Sequence, residues 1–470
     1  MKNIVTHLNE KQRNVFVFLA ILCVNAFFYW GAQDNYFFSD DFEWLARAVL
    51  AQNPGDSLTE ILRIEGRDFN PVFMILLTIT IRVFGLSPTA FRLLSLAAFS
   101  GVLFLFFFIL SRYFKVDRVI AFSAALLFGL NVYISEVMLN MAALVYSLSL
   151  LLLLAAVKFY LDGKRYRFLV FLLLAFLVKE TVVLGAVPLL VFEKKKKDRL
   201  FLLAAVGGIG AFRVLLQATA AGTGKYTGFL SFSKVFVKLY YIGLKAMNVS
   251  PYTMNVAVGI TILVLLLLVS IYFSLSKKTG ETGRGFLFFF LFFVLFSLFL
   301  SLLPKLSSRY FFYPTPGFWG MAALAAHYFY QSNNQNNKKL KFVLVPLVLI
   351  SMLFNYPFVK REIEDFRILG DFSKQFIFQQ GEVIKREAGD PVKASEIFVY
   401  KLNRQRLAGV YAQIKSRRNL PKLLPFRDHS VGGVIHPEHL IPLVFYPGKI
   451  IRWRPVGETS NYFTGFLLEK

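Results

Sequence analysis

The run Phe168-Leu169-Val170-Phe171-Leu172-Leu173-Leu174-Ala175-Phe176-Leu177-Val178-Lys179-Glu180-Thr181-Val182-Val183-Leu184-Gly185-Ala186-Val187-Pro188-Leu189-Leu190-Val191-Phe192 decides how the chain is read. It is apolar apart from Lys179-Glu180 near its middle, and basic loops flank it at both ends, Lys158 to Arg167 before and Lys194 to Arg199 after. Loops rich in Lys and Arg collect on the cytoplasmic side of a membrane, so a single crossing would strand one of these two loops on the wrong side. Two shorter helices turning at Lys179-Glu180 would bring both loops back to one side. Such a break is tolerated at membrane depth only where its backbone lines a polar cavity or is buried in protein. Ionisable groups at that depth cost several kcal/mol unless paired or wetted, which makes Lys179 and Glu180 candidates for function; the alternative is that they only cap a hairpin turn.

Composition agrees with a membrane protein. Of 470 residues 56% are hydrophobic and 54 are phenylalanine, too apolar for a soluble domain of this length. The net charge of +25 sits in short loops between apolar runs, the pattern of anchoring beside anionic lipid, and argues against nucleic acid as a partner. The single cysteine, Cys23, excludes an intrachain disulfide and a Cys-based metal site. Asn14 to Trp30 reads as a retained signal anchor. Lys2, Lys11 and Arg13 precede it, so the N-terminus is expected in the cytoplasm and the polar loop at 33–69 outside it.

Further apolar runs at 72–84, 90–111, 118–134, 137–157, 166–192, 199–217, 233–247, 255–276, 286–304, 311–330 and 340–357 give an expectation of about 11 spans. A second topological conflict remains on this count, between the loop at 86–90 and the basic loop at 112–118. Residues 331–337 form a polar linker, and 358–470 carries 19 Lys/Arg against 12 Asp/Glu with short apolar stretches. The expected architecture is an all-α polytopic membrane domain over 1–357 and a small soluble α/β domain over 358–470. That domain would open on a helix from about Val359, with strands near 396–400, 444–447 and 450–454.

Three other stretches carry candidate chemistry. Tyr36-Phe37-Phe38-Ser39-Asp40-Asp41-Phe42-Glu43-Trp44 places two carboxylates where the first span meets water, and the Asp40 to Glu43 spacing predicts a helix starting there. Desolvation in such an aromatic corner suits a carboxylate to act as a base; a plain helix cap in an interfacial aromatic belt is the alternative. Asn131-Val132-Tyr133-Ile134-Ser135-Glu136-Val137 puts Glu136 at a span boundary. Pro304-Lys305-Leu306-Ser307-Ser308-Arg309-Tyr310-Phe311-Phe312-Tyr313-Pro314-Thr315-Pro316-Gly317 opens a late span. There Arg309 is suited to clamp a phosphate and Tyr310 or Tyr313 to stack on a sugar or isoprenoid, against the alternative of an ordinary interfacial anchor. Arg67, in the first polar loop, faces the same choice. Gly222-Thr223-Gly224-Lys225 lacks the spacing of a phosphate loop, and His429, His436 and His439 read as solvated loop histidines.

In this order the four stations, Asp40-Asp41, Asn131 to Val137, Phe176 to Val183 with Pro188, and Ser308 to Pro314 with Gly317, resemble the GT-C glycosyltransferases. Within that class the likeness is to the protein O-mannosyltransferase and TMTC-like group, over roughly residues 1–330. The resemblance implies transfer of a sugar from a polyprenyl-phosphate carrier, with inversion, to a hydroxyl of a protein, lipid or glycan acceptor. The reaction would take place at the outer face of the plasma membrane. Asp40 or Asp41 would be the general base, Asp40 by its match to the first position of the acidic pair. Arg67, Lys179 and Arg309 would bind the donor phosphate, with Glu136 and Glu180 orienting them or holding a divalent ion, for which Asp41 and Glu136 are the candidate ligands. The second acidic residue is Asp where the O-mannosyltransferases commonly have Glu, and neither tetratricopeptide repeats nor a β-trefoil is visible, which leaves sugar and acceptor open. A flippase for lipid-linked sugars and a non-catalytic membrane scaffold are the rival readings.

Overall fold

The computed structural model describes residues 9–37, 40–52, 55, 57–62, 69–219, 232–248, 280–303, 307–332, 346, 348–368 and 370–371, together with five short strands after residue 401. Its helices are α1 (Glu10–Phe28), α2 (Asp40–Leu50), α3 (Ser57–Leu62), α4 (Pro71–Phe84), α5 (Pro88–Arg112), α6 (Arg118–Gly129), α7 (Glu136–Leu139), α8 (Leu144–Leu161) and α9 (Arg165–Val178). After a 3₁₀ stretch over Glu180–Phe192 come α10 (Lys196–Thr219), α11 (Phe232–Ala246), α12 (Gly280–Ser301), α13 (Thr315–Ser332) and α14 over 348–368. Among the described residues four helices, α1, α5, α8 and residues 282–301 of α12, are long and apolar enough to cross a membrane, and α6 with Val132–Leu139 forms one further pair bent by 57°.

Side-chain contacts sort the loops onto two faces. On the first, Arg112 pairs with Glu10 at 3.8 Å, the Arg118 guanidinium donates to Asn14 at 2.5 Å, Tyr113 donates to Asp162, and the Asp117 N–H donates to His327 at 3.2 Å. The Tyr160 hydroxyl reaches Glu193 at 2.5 Å, and Arg165 pairs with Asp198. The N-terminal end and the basic loops at 112–118, 158–167 and 193–199 thus share this basic face. Burial works to raise the Asp162 carboxyl, but hydrogen bonds from Tyr113 and Lys158 outweigh it and hold the group below the usual carboxylate range. Every charged station lies on the opposite face, described below.

The run from Phe168 to Phe192 is a hairpin. α9 leaves the basic face, Lys179 breaks it in an extended conformation (φ −155°, ψ 119°), and Glu180–Phe192 returns to the basic face, where Glu193 meets Tyr160. Fourteen α-helical residues rise about 21 Å, and thirteen 3₁₀ residues about 26 Å, so the two strokes have similar reach. Pro188, which an α-helix interior would resist, sits inside the 3₁₀ stroke. The return stroke fits because Gly185 lies in contact range of Leu153, Phe292 and Phe296, where a Cβ would approach within 2.4–3.1 Å.

The second topological conflict disappears through a correction. The run at 72–84, expected as a span, forms the 14-residue α4, which starts and ends on one face. Near its start Phe73 packs on Trp44 of α2, and its end turns directly into α5, where Thr89 donates to the Gln33 carbonyl at 3.3 Å. Both ends of α4 therefore belong to the charged face. α5 then runs from that face to the basic loop at 112–118, as the positive charges there require.

One helix, α14, continues through both the end of the last apolar run and the helix expected to open the C-terminal domain. Tyr356 packs on Phe27 and Phe28, the Ile363 carbonyl accepts from Asn35 at 3.1 Å, and Gly370 lies against the Tyr36 backbone. The chain therefore leaves α14 at the charged face. Beyond it the described strands pair antiparallel, Val444–Tyr446 with Lys449–Ile451, and Tyr462–Phe463 with both Leu402–Asn403 and Glu458–Thr459. The strand expected near 396–400 lies outside the described residues, as do the runs at 220–231 and 255–276.

Two outcomes test this arrangement. With Cys23 replaced by serine, a cysteine at Thr89 and one at Gly163 should label with an impermeant maleimide from opposite sides of sealed vesicles; labelling from the same side would remove the two-face assignment. At Gly317 a Cβ would meet the Phe293 nitrogen at 2.6 Å and the Phe289 carbonyl at 2.8 Å, so α12 and α13 cross backbone to backbone. Gly317→Ala should therefore cost about 2 kcal/mol in a thermal melt, while Gly207→Ala, with open space around it, should not destabilise.

Candidate functional site

The charged face is built on the break after α6. Asn131 caps the turn, its Oδ1 accepting from the Tyr133 N–H at 2.9 Å and its Nδ2 donating to the Lys245 carbonyl at 2.8 Å. Val132 N–H donates to Asn248 at 3.1 Å. These side chains supply partners that the interrupted helix cannot, which is how such a bend survives away from water. The bend delivers Glu136, 6% exposed, to the segment before α13. Its Oε2 accepts from the Ser307 hydroxyl at 3.0 Å, from the Ser308 hydroxyl, and from the Arg309 N–H at 3.1 Å, while Oε1 lies 3.8 Å from the Arg309 Nε.

Arg309 is thereby aimed at a tyrosine cluster. Its guanidinium carbon lies 5.9 Å from the Tyr146 ring centroid, and Tyr146 packs against Tyr310 at 5.7 Å and Tyr313 at 5.5 Å. The Tyr313 hydroxyl shares a 2.8 Å hydrogen bond with Ser149 and lies close to Thr181, in the turn of the hairpin. Lys179, beside Glu180 at 3.6 Å, lies within electrostatic reach of Tyr146 and Tyr313, as Arg309 does of Tyr146. Lys179 and Arg309, 130 positions apart in the chain, thus face one set of phenols, each with its own carboxylate.

The acidic helix arrives at the same place. Asp40 opens α2, and its side chain lies outside the described residues. Asp41 is fully buried and its Oδ1 accepts the Ala142 N–H at 2.8 Å, in the turn that leads into α8 four residues before Tyr146. Asp41 thus pins the start of α2 to the entrance of α8. Arg67 falls outside the described residues, as do the glycine-rich stretch at 222–225 and the three late histidines.

Two cations escaped the sequence reading. Arg92, the fifth residue of α5, is buried within electrostatic reach of Asp41; its Nη2 lies 3.5 Å from the Tyr36 carbonyl, and its Nε and Nη1 find no hydrogen-bond partner among the described residues. Lys245 is buried at the end of α11, with its ammonium 4.7 Å from the Phe311 centroid and 5.1 Å from that of Tyr133. Arg92 sits in an ordinary helix start after Pro88, and Lys245 ends an amphipathic helix, so neither spacing marks it. Among the described residues no three His, Cys, Asp or Glu side chains come together to hold a metal ion. Asp41 and Glu136, the candidate ligands, have oxygens committed to the N–H and hydroxyl donors named above.

What fold and site define together is a polytopic membrane helix bundle with a charged crown, in which paired cations and tyrosines surround the start of an acidic helix. No family model and no curated protein matches the chain. Among solved structures it is similar to ArnT from Cupriavidus metallidurans bound to undecaprenyl phosphate, with 13% identity and a TM-score of 0.45 over 79% of this chain and 72% of that one.

The Glu136 contact is testable as a stability term. Glu136→Ala leaves three donors and a guanidinium without their acceptor and should cost about 2–3 kcal/mol in a thermal melt. The Glu136→Ala, Arg309→Ala double variant should lose less than the sum of the two single changes, because they remove one shared interaction.

Proposed function

We propose that the chain is an integral-membrane inverting glycosyltransferase that moves a hexose from a polyprenyl-phosphate carrier to an acceptor hydroxyl on the extracytoplasmic side. The observation that carries this reading is the convergence of Lys179 and Arg309 on the Tyr146, Tyr310 and Tyr313 cluster, beside the helix that begins at Asp40-Asp41. A lipid phosphate leaving at the membrane surface needs positive charge, and two cations held by neighbouring carboxylates supply it without reorganising. The phenol faces suit a sugar or the first isoprene unit. Asp40 takes the acceptor proton while the acceptor oxygen attacks the anomeric carbon from the side opposite the phosphate, and Asp41 holds the helix in place. Arg67 remains a further phosphate ligand under this reading, joined by Lys245.

The basic loops on the other face support a cytoplasmic N-terminus and an outward-facing site. Residues from about 372 to 470 would form the soluble domain, on the same side as the site, since α14 ends there. The mannosyl group implied by the likeness to O-mannosyltransferases is one choice of hexose within this reading.

Transport of a lipid-linked sugar is favoured by one observation, two broken helices, one of them with the Lys179–Glu180 pair at its break. Purified protein given a labelled polyprenyl-phosphate hexose separates the two. A transferase releases polyprenyl phosphate; a flippase moves the lipid across vesicles with its sugar bond intact. Asp40→Asn should lower turnover by roughly 10²–10⁴-fold, the range for loss of a general base, and Arg309→Ala by roughly 10²–10³-fold, the range for loss of one charge-stabilising donor. Unchanged turnover in the Asp40→Asn, Asp41→Asn double variant would sink the catalytic assignment.

A further inference from the structure

A cleft of about 590 Å³ lies between α1 and α5 at the basic face, remote from the charged crown. Its wall is divided along its depth. Lys11, Arg112 and Glu10 line it near the basic loops, and Val15, Phe18 and Phe104 line it toward the membrane interior. Phe18 and Phe104 meet edge to face with centroids 5.6 Å apart and form the apolar floor. The outer side of α1 is exposed and apolar at Val15, Phe16 and Leu19, so the cleft opens sideways into the bilayer. Glu10 offsets one of the two cations, and its contact with Arg112 is long, 3.8 Å, with both side chains more than half exposed, which leaves the guanidinium accessible. Arg118 lies outside the lining, where its guanidinium donates to Asn14.

We propose that this cleft binds an anionic glycerophospholipid of the leaflet at the basic face, with its phosphate between Lys11 and Arg112 and an acyl chain along Val15, Phe18 and Phe104. The polar-to-apolar gradient of the wall matches a headgroup followed by a chain, and the charge at its mouth selects a headgroup with net negative charge. One basic side chain near a bilayer surface favours an anionic lipid by about five-fold, the excess left here after Glu10 is counted. Bound there, the lipid would join α1 to α5, the two spans that frame the acidic loop.

The test uses the full chain with Phe18→Trp, reconstituted in vesicles containing phosphatidylglycerol or phosphatidylcholine with brominated acyl chains. Fluorescence of the introduced indole, taken as the difference from the unsubstituted protein, should be quenched at about a five-fold lower mole fraction of the brominated phosphatidylglycerol. Adding Lys11→Ala and Arg112→Ala should abolish that preference. Equal quenching by the two lipids, or a preference that survives the double substitution, overturns the proposal.

Discussion

A single carboxylate, that of Glu136, gathers two serine hydroxyls, a backbone N–H and the Arg309 guanidinium, and the charged crown depends on it. The reason lies in the surroundings. A guanidinium away from bulk water is unfavourable unless a counter-charge and hydrogen bonds replace its hydration, and a carboxylate is equally so. Meeting each other satisfies both, but only if α6 bends to bring Glu136 forward and the chain before α13 winds tightly enough to present three donors at once. The bend in turn needs Asn131 and Asn248 to take up freed backbone groups. Gly317 then lets α13 pass α12 at backbone contact, with Tyr313 stacked on Phe296 at 5.1 Å.

The same rule, charge beside counter-charge, organises the rest. Lys179 and Glu180 are neighbours in sequence and in space, so the hairpin brings its own compensation to the depth it reaches. Asp41 has Arg92 within electrostatic reach. At the other face, Lys158, Arg112 and Arg165 are matched by Asp162, Glu10 and Asp198, closer to water, where such pairs contribute little to stability but hold loop to loop. Phenylalanine fills the volume between: Phe99, Phe128 and Phe312 meet in one cluster, and Phe114, Phe288 and Phe289 in another.

Much of this was legible in the sequence, and the failures have physical causes. The break at Lys179-Glu180 could be read because charges inside an apolar run are costly and flanking basic loops fix sidedness. The helix start near Asp40 could be placed from the Asp40 to Glu43 spacing. The run at 72–84 was read as a span because its apolar residues mark it as buried or lipid-facing without saying whether it crosses; its two ends both meet the charged face through contacts with distant segments, which no local pattern encodes. Arg92 and Lys245 were invisible for the same reason. Each owes its position to packing between distant segments, Tyr36 with α5 and Tyr133 with Phe311, and no local pattern encodes such a meeting. The partners of Glu136 belong to the same kind of information, 171 to 173 positions away along the chain.

The return stroke of the hairpin also sets an order of biosynthesis. Gly185 packs on Leu153, which the ribosome has already made, and on Phe292 and Phe296, which it has not. When residues 180–192 first emerge, the walls supplied by α10 and α12 are missing, and the stroke has only α8 and α9 to lean on. Its seat is completed when α12 enters the bilayer. Closure of the bundle is therefore a late step, and a substitution in the Phe292 to Phe296 stretch acts on a segment synthesised long before it.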